Sequence, residues 1–364
     1  MHARITIAIA VVALMALGGC GSGSGEDAAS GSTGQTPGSA PGTANSSQTD
    51  APASPGAGSS EGTEQSDPAG DLGTIKIGFA SATQPAYGTT LLADKTAKRY
   101  TVKEVFFQNS ELAMQGLLQG EVDVLAIGVN GPMLAIAQGA DIKMFGVTIG
   151  NDWVLVTDDD ITSPADLEGK TVAIHSDVST GTPLLKGTLS DAGVKANLVT
   201  IPGSPNRAQA MMSGQVDATV LFLSDALSLQ EQGAGKFHVL LDYRDVPFAS
   251  QALVASTSWL ADHPDLASAV LQHSVDTANK IKGDQSWASD ELAAMFPDDK
   301  PDYLKTLVKE YVDRDLWVTD GGKALFSTLD VAIKTNKELG TLPAEASTDA
   351  SDYVDLQFLE GLGQ

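Results

Sequence analysis

A gapless internal repeat does most to limit what this chain can fold into. The segment Leu117-Leu118-Gln119-Gly120-Glu121-Val122-Asp123 recurs 94 positions later as Met211-Met212-Ser213-Gly214-Gln215-Val216-Asp217. The same offset carries Gln115 to Gln209, and Gln138-Gly139-Ala140 to Gln232-Gly233-Ala234. Each copy reads as a helix, a glycine stop, a buried strand and a second helix. A glycine just past a helix end is what a left-handed C-cap favours. The period is too long for a solenoid, whose units run about 20–50 residues, so two copies of one α/β unit imply two similar lobes. Ligands of open α/β sheets sit at the carboxyl ends of the strands. Two facing lobes would pool two sets of strand ends in one cleft, and domain interfaces favour small-molecule pockets. The offset makes Asn130 and Ser224 equivalent. Each follows an apolar strand and precedes a helix, so both are expected to face the cleft unless they serve only as N-caps.

Around the repeat, short apolar runs at 74–79, 102–107, 122–127, 154–157, 171–175, 198–201, 218–222 and 251–256 read as strands. Helical patterns at 111–119, 132–138, 183–192 and 208–213 lie between them. This alternation predicts an α/β fold with parallel or mixed sheets. Beyond about residue 258 the pattern turns helical, over 264–282, 287–295, 301–313 and 322–339.

The first 70 residues are of another kind. Met1-His2-Ala3-Arg4 precedes an apolar run from Ile5 to Leu17 broken only by Thr6. This is a cationic region and secretory core, too short to span a bilayer, which takes about 20 apolar residues. It ends in Leu17-Gly18-Gly19-Cys20, which resembles a bacterial lipobox, where the signal is cut just before a cysteine that receives the lipid. The chain's single cysteine stands at that place. Residues 1–19 are therefore expected to be a lipoprotein signal peptide. Lipidation of Cys20 would anchor the mature protein, extracytoplasmic, to the bacterial cell membrane. One cysteine also excludes an intrachain disulfide and a cysteine-based zinc cluster. Residues 20–71 are Gly, Ser, Ala, Thr and Pro with scattered acids, and no Lys or Arg stands between Arg4 and Lys76. Such a stretch cannot offset the entropy of ordering itself. It reads as a disordered tether with a reach of about 40 Å.

The 46 acidic side chains against 22 basic ones, a net charge of −24, exclude a general nucleic-acid binder and a polybasic membrane-surface protein. The five histidines form no His-x-x-x-His or His-Glu-x-x-His pair. No Gly-x-Ser-x-Gly elbow or Walker-type phosphate loop is evident in residues 72–364. No cofactor, metal or catalytic residue is expected, and the chain reads as a non-enzyme. His175, at a strand end, is the one histidine near the expected cleft, and a structural role is the expectation for it.

Several stretches carry a family resemblance: 118–123, Ile127-Gly128-Val129-Asn130-Gly131-Pro132, 135–143, 161–173 and 213–218, with the helix start Ala261-Asp262-His263-Pro264-Asp265-Leu266. In them, over roughly 74–340, the chain resembles the bacterial extracytoplasmic solute receptors of ABC importers. The branches it resembles are the nitrate/sulfonate/taurine-type and thiamine-precursor-type substrate-binding proteins. The resemblance implies a type II periplasmic-binding-protein-like α/β fold, with a ligand cleft between two lobes joined by two chain crossings. These would fall near 158–162 and 245–251. Lobe one would be 72–158 plus 250–364, and lobe two 159–249. It also implies a monomer that closes on a small-molecule solute by hinge motion and docks on an ABC permease in the membrane. The thiamine-precursor-forming enzymes of the wider family use cysteine-rich signatures, and no cysteine follows position 20.

For the cleft, the loop 176–182 precedes a helix expected to start at Pro183 with Thr182 as N-cap. Free amides and the helix dipole there suit an anion, with Ser179, Thr180, Gly181 and Thr182 as candidate ligand residues. In lobe one, Ser81 and Gln84 offer hydrogen bonds and Tyr87 an apolar wall with a polar tip. Asn109 either points into the cleft or caps a helix beginning at Ser110. Phe222 stands where relatives often carry tryptophan, next to Ser224. Asp225 would receive an ammonium group or cap its helix, capping being the expectation. Phe248 and Gln251 are candidates for the cleft floor, and Trp153 for a wall or the core. Arg207 and Arg244 are the nearest basic candidates, with solvation the expectation for both. The ligand expected first is a small polar or anionic organic solute of the sulfonate, taurine or nitrate kind. The alternatives are a heteroaromatic thiamine precursor stacked on Tyr87, Trp153 and Phe222, or a ligand-sensing ectodomain serving a membrane signalling partner.

Overall fold

The computed structural model describes residues 71–93, 99–233 and 235–362, which fall in one compact unit. The expected signal peptide, Cys20, the tether up to residue 70 and Ala234 of the second repeat copy lie outside the described residues.

The chain runs β1 (Thr74–Phe79), α1 (Gly88–Leu91), β2 (Thr101–Phe106), α2 (Ser110–Leu118), β3 (Val124–Ile127), α3 (Asn130–Ala137), β4 (Ile142–Ile149) and β5 (Trp153–Asp158). It continues with β6 (Thr171–Ile174), α4 (Gly181–Ala192), β7 (Asn197–Thr200), α5 (Ser204–Met212), β8 (Ala218–Phe222), α6 (Leu223–Gln232), β9 (Phe237–Asp242) and β10 (Gln251–Ser256). Then follow α7 (Thr257–Asp262), α8 (Pro264–Gly283), α9 (Gln285–Met295), α10 (Pro301–Asp313), α11 (Lys323–Phe326), α12 (Leu329–Glu338) and α13 (Gln357–Glu360).

The strands form two five-stranded sheets, ordered β2-β1-β3-β10-β4 and β7-β6-β8-β5-β9. Within each, the first three strands run parallel. In each, one antiparallel strand arriving from the other lobe slots into fourth place: β10 between β3 and β4, β5 between β8 and β9. This fixes the crossings. The expected first crossing near 158–162 is displaced, because 153–158 pairs along β8 and β9; the chain passes between sheets at 150–152. Strand character is a local property of Val154–Thr157, whereas its partners stand some 60–90 positions further on and only tertiary pairing identifies them. The return runs from 243 to 250. The edge strands β4 and β9 were not among the expected strands.

The offset of 94 holds element by element. α2 and α5 begin at Ser110 and Ser204, and β3 and β8 at Val124 and Ala218. Gly120 and Gly214 have φ of 72° and 68°, the left-handed region that lets a glycine end each helix. Asp123 and Asp217 each close a two-bond bracket. The carboxylates accept from the backbone amides of Lys76 (2.7 Å) and Thr171 (2.8 Å). Their own amides donate back to the carbonyls of the same two residues.

Branched apolar residues fill both sheets: Ile75, Ile77, Leu125 and Val254 in the first, Leu155, Val156, Val172 and Leu221 in the second, each at most 1 % exposed. The helices after β10 do not all stay on lobe one. α8 packs on α1 and β4, but α10, paired with α9, reaches α6 of lobe two. The helix expected over 322–339 is broken between α11 and α12, where the Ser327 and Thr328 hydroxyls donate to the Ala324 and Leu325 carbonyls and compete with the helical backbone.

Candidate functional site: an enclosed cleft between the sheets

The carboxyl ends of β1, β3, β6 and β8 face one another across a cavity of about 40 Å³. That is room for a few waters, at roughly 10–15 Å³ each. Lobe one contributes Ser81, Tyr87, Ser110, Gly128 and Gln251; lobe two contributes Trp153, His175, Ser179, Thr180, Ser204, Arg207 and Phe222. The lobes touch directly. The Asn130 amide Nδ2 donates to the Val178 carbonyl (2.9 Å), and the Asn130 backbone amide to Thr180 Oγ1 (3.3 Å). A Cβ added at Gly128 would stand 2.3 Å from Thr180 Oγ1, so only glycine admits this approach.

Three helix N-termini converge here. Ser110 opens α2 and Ser204 opens α5, nine residues each, and Thr180 precedes α4, which has twelve. Their first-turn amides have no intrahelical acceptor, and the helix dipoles put partial positive charge at the cavity.

Arg207 supplies a full charge. It stands one turn into α5 and is 1 % exposed. Nε and Nη2 both donate to the Val220 carbonyl (3.1 Å each), and Nη1 donates to the Ile201 carbonyl (3.3 Å). Carbonyls rather than a carboxylate hold it, so its charge is not neutralised by a direct ion pair. Burial lowers its pKa to about 10, with the Asp225 charge opposing; it stays cationic at neutral pH. His175 is tied to it. The Gly203 amide donates to Nδ1 (3.0 Å), and Arg207 Nη1 lies 3.3 Å from the same nitrogen. Nδ1 is thus the acceptor and the ring proton sits on Nε2, which is buried without a partner. Burial, and then the Arg207 charge, lower the His175 pKa to about 3. The ring is therefore a neutral N–H donor.

The other wall is aromatic. Trp153 stacks on Phe222 with centroids 4.2 Å apart, and Trp153 Nε1 is buried without a partner. The Tyr87 hydroxyl pairs with Ser81 Oγ at 2.6 Å, and burial pushes the phenol up to about 12. Gln251 Oε1 accepts from Thr148 Oγ1 at 2.6 Å.

Of the candidate ligand and wall residues from sequence, Ser81, Tyr87, Trp153, Ser179, Thr180, Phe222 and Gln251 line the cavity. The others do not. Asn109 caps α2, its side chain accepting from the Leu112 amide at 2.9 Å. Asn130 is the interlobe bridge just described. Gly181, not Pro183, begins α4, and a Cβ on it would crowd Val220 and the Trp153 ring at 3.1 and 3.3 Å. Thr182 lies inside the first turn rather than at the N-cap and donates to the Ser176 carbonyl at 2.6 Å. Gln84 is buried with its amide unpartnered. Ser224 is covered by α10, its carbonyl accepting from the Tyr303 hydroxyl at 3.0 Å. Arg207 departs furthest from expectation, being buried in the site instead of solvated. Sequence reading missed Ser110 and Ser204, although the offset of 94 relates them. Among the described residues, no group of three or more His, Cys, Asp or Glu is placed to hold a metal, and no helix is long and apolar enough to cross a membrane.

The sequence profile of the NMT1/THI5-like family matches residues 101–284, half of the chain. The chain belongs to that family. This NMT1/THI5-like chain is also similar to solved structures, at identities that speak to the fold. The alkanesulfonate-binding protein SsuA of Xanthomonas axonopodis pv. citri, bound to MOPS, is 17% identical with a TM-score of 0.63, covering 77% of this chain and 97% of that one. The aliphatic sulphonate-binding protein SsuA of Escherichia coli is 19% identical with a TM-score of 0.60, over 79% and 99% of the two chains. The nitrate-binding protein NrtA of Synechocystis PCC 6803 is 14% identical with a TM-score of 0.62, over 79% and 87%. The fold is thus the two-lobed periplasmic-binding-protein fold. No curated protein matches the chain by sequence.

Proposed function

We propose that the protein is the extracytoplasmic solute receptor of an ABC-type importer and that its solute is a small organic anion of the sulfonate kind. The observation that carries the reading is Arg207: a buried cation held by carbonyls, beside a neutral His175 Nε2–H, at a cavity where three helix N-termini meet. An oxyanion head would take donors from Arg207, His175 and the helix starts, with the hydroxyls of Ser81, Ser179, Thr180 and Ser204 around it. The Trp153–Phe222 wall suits a short organic tail. Neighbours that bind alkanesulfonates and nitrate support the anionic class. No residue is assigned a catalytic role.

In this reading the lipid on Cys20 anchors the receptor to the bacterial cell membrane, and residues 20–71 give it the reach to dock on a permease as a monomer. A heteroaromatic thiamine precursor is favoured by the aromatic wall alone; Arg207 offers no acceptor to a protonated aminopyrimidine. Calorimetric titration with ethanesulfonate, taurine, nitrate and an aminopyrimidine tests the choice. Micromolar or tighter binding of a sulfonate is expected, and binding of the pyrimidine alone would reverse the assignment.

A further inference from the structure

Behind the cavity, where the first crossing enters lobe two, lies a carboxyl that the anion site does not use. Asp152 is 2 % exposed. Its backbone amide donates to Ser250 Oγ of the return crossing at 3.2 Å, and its carbonyl accepts from the Leu223 amide at the start of α6 (2.8 Å). One carboxyl oxygen, Oδ2, accepts from the Tyr311 hydroxyl of α10 at 2.5 Å; the other, Oδ1, is buried without a partner. Past α10, the chain is fastened to lobe one. The Gly150 amide donates to the Leu316 carbonyl (2.8 Å), Trp317 Nε1 donates to the Ala86 carbonyl (2.9 Å), and the Trp317 ring rests 4.9 Å from Tyr311. Asp152 therefore joins both crossings, a lobe-two helix and a helix held by lobe one.

We propose that Asp152 is the positioning residue of lobe closure: protonated, it holds the two crossings, α6 and α10 together, and ionised it loosens that junction, so closure weakens as the solution becomes more alkaline. The charge environment agrees. The titratable groups facing it are Tyr311 of α10, Asp225 of α6 and Tyr87 of lobe one, with Tyr303 of α10 next to Tyr311 and Asp225. All are acids, and among the described residues no lysine, arginine or histidine stands within ion-pair distance of the carboxyl. A buried carboxylate with one oxygen unpartnered and no cation is costly to ionise. Burial, joined by the Asp225 charge, raises its pKa to about 7 against opposing hydrogen bonds from Ser250 and Tyr311. Opening the junction hydrates the group and returns it towards 3.8. Closing then takes up a proton between these values. Closure is fully favoured below the lower value and is lost as pH rises through the upper one, by at most about tenfold per pH unit.

The inference rests on the receptor reading only in taking the lobes to open and close. It is tested without solute, by the distance between spin labels placed at Leu118→Cys in lobe one and Met212→Cys in lobe two. These sites are 54% and 40% exposed, and Cys20→Ser in the full chain keeps the labels to them. The ratio of closed to open populations is expected to fall at least tenfold between pH 5 and pH 7.5 and then level off. Asp152→Asn, which keeps an acceptor for Tyr311 and removes the titration, is expected to hold one ratio throughout. A flat profile in the unsubstituted protein, or the same slope in Asp152→Asn, overturns the proposal. If Asp152→Asn shows no cooperative melt, Tyr311→Phe decides. Losing a donor that favours the ionised form moves the levelling-off to higher pH, and an unmoved profile overturns the proposal. Ethanesulfonate and nitrate, added separately, probe the other claim. No change in label distance with either, at any pH, tells against the sulfonate-type receptor reading and leaves the pH result standing.

Discussion

At the scale of the residue, Arg207 explains why a site partly readable in sequence was incompletely read. Ser204-Pro205-Asn206-Arg207 looks like the solvent-facing first turn of a helix. Nothing local says that the carbonyls of Ile201 and Val220, one at each end of a fold-back through α5, will close around the guanidinium. Hydroxyl-bearing turns such as 176–182 were visible because their chemistry is local; the charge that completes them comes from another element. Arg207→Gln is expected to fold and to weaken binding of a sulfonate solute by about 2–4 kcal/mol, the usual cost of deleting one partner of a buried charged hydrogen bond. Calorimetry against the unsubstituted protein reads it, and an unchanged affinity would remove Arg207 from the site. His175 makes a second prediction. Its folded-state pKa is depressed to about 3, so the unfolded chain protonates first. Its contribution to stability is therefore complete above about 6.5 and is lost as pH falls from there towards 3. Nitrogen-15 spectra are expected to show a neutral ring with its proton on Nε2 at pH 5; a charged imidazolium at that pH would contradict the assignment.

At the scale of the element, the repeat was the most informative thing in the sequence, and its limits are equally physical. It located α2, α5, β3 and β8 because each copy has to repeat the same glycine stop and the same Asp123 or Asp217 bracket to join helix to strand. Of its expected cleft-facing pair, Asn130 spans the cleft to Val178 of the other lobe, whereas Ser224 is covered by α10. The equivalent pair that lines the cavity is Ser110 and Ser204, at the helices before the strands. β5 was recognised as a strand but given to the wrong sheet, because pairing is set by residues far along the chain. The contact of α3's approach with the lobe-two loop supplies the element-scale prediction. At Gly128 a methyl would meet Thr180 Oγ1 at 2.3 Å and Thr180 Cβ at 3.1 Å. Gly128→Ala is therefore expected to leave each lobe folded and to block closure, with affinity for the solute reduced at least tenfold. Adding Thr180→Ala removes the nearer of the two clashing atoms and is expected to recover part of the loss. If Gly128→Ala binds as well as the parent, the lobes do not meet as tightly as these distances require.

At the scale of the whole molecule, the two lobes are neither consecutive in sequence nor separable in packing. Each sheet holds in fourth place a strand that enters from the other side, β10 in one and β5 in the other. Removing either lobe would leave the other's sheet with an unpaired interior position. α10 adds a second coupling. It is fixed to lobe one through Leu316 and Trp317, and grips lobe two through Tyr303 on the Ser224 carbonyl, Lys300 on Glu231 at 2.8 Å and Arg314 on Asp242 at 2.5 Å. The last two pairs are partly or largely exposed and stabilise little individually; the buried tyrosine contact and the shared sheets dominate. An interface built this way transmits local unfolding of one lobe to the other, so residues 71–362 should lose structure in one cooperative step despite their length. Single-tryptophan variants keeping only Trp153, in lobe two, or only Trp317, at the lobe-one end of the α10 segment, separate the alternatives in a urea titration followed by fluorescence. The two midpoints are expected to coincide. If Trp153 reports a transition at distinctly lower urea than Trp317, lobe two unfolds by itself and the exchanged strands do not make the halves one unit. A fully independent lobe would also show a smaller dependence on urea, because that slope scales with the surface each transition exposes.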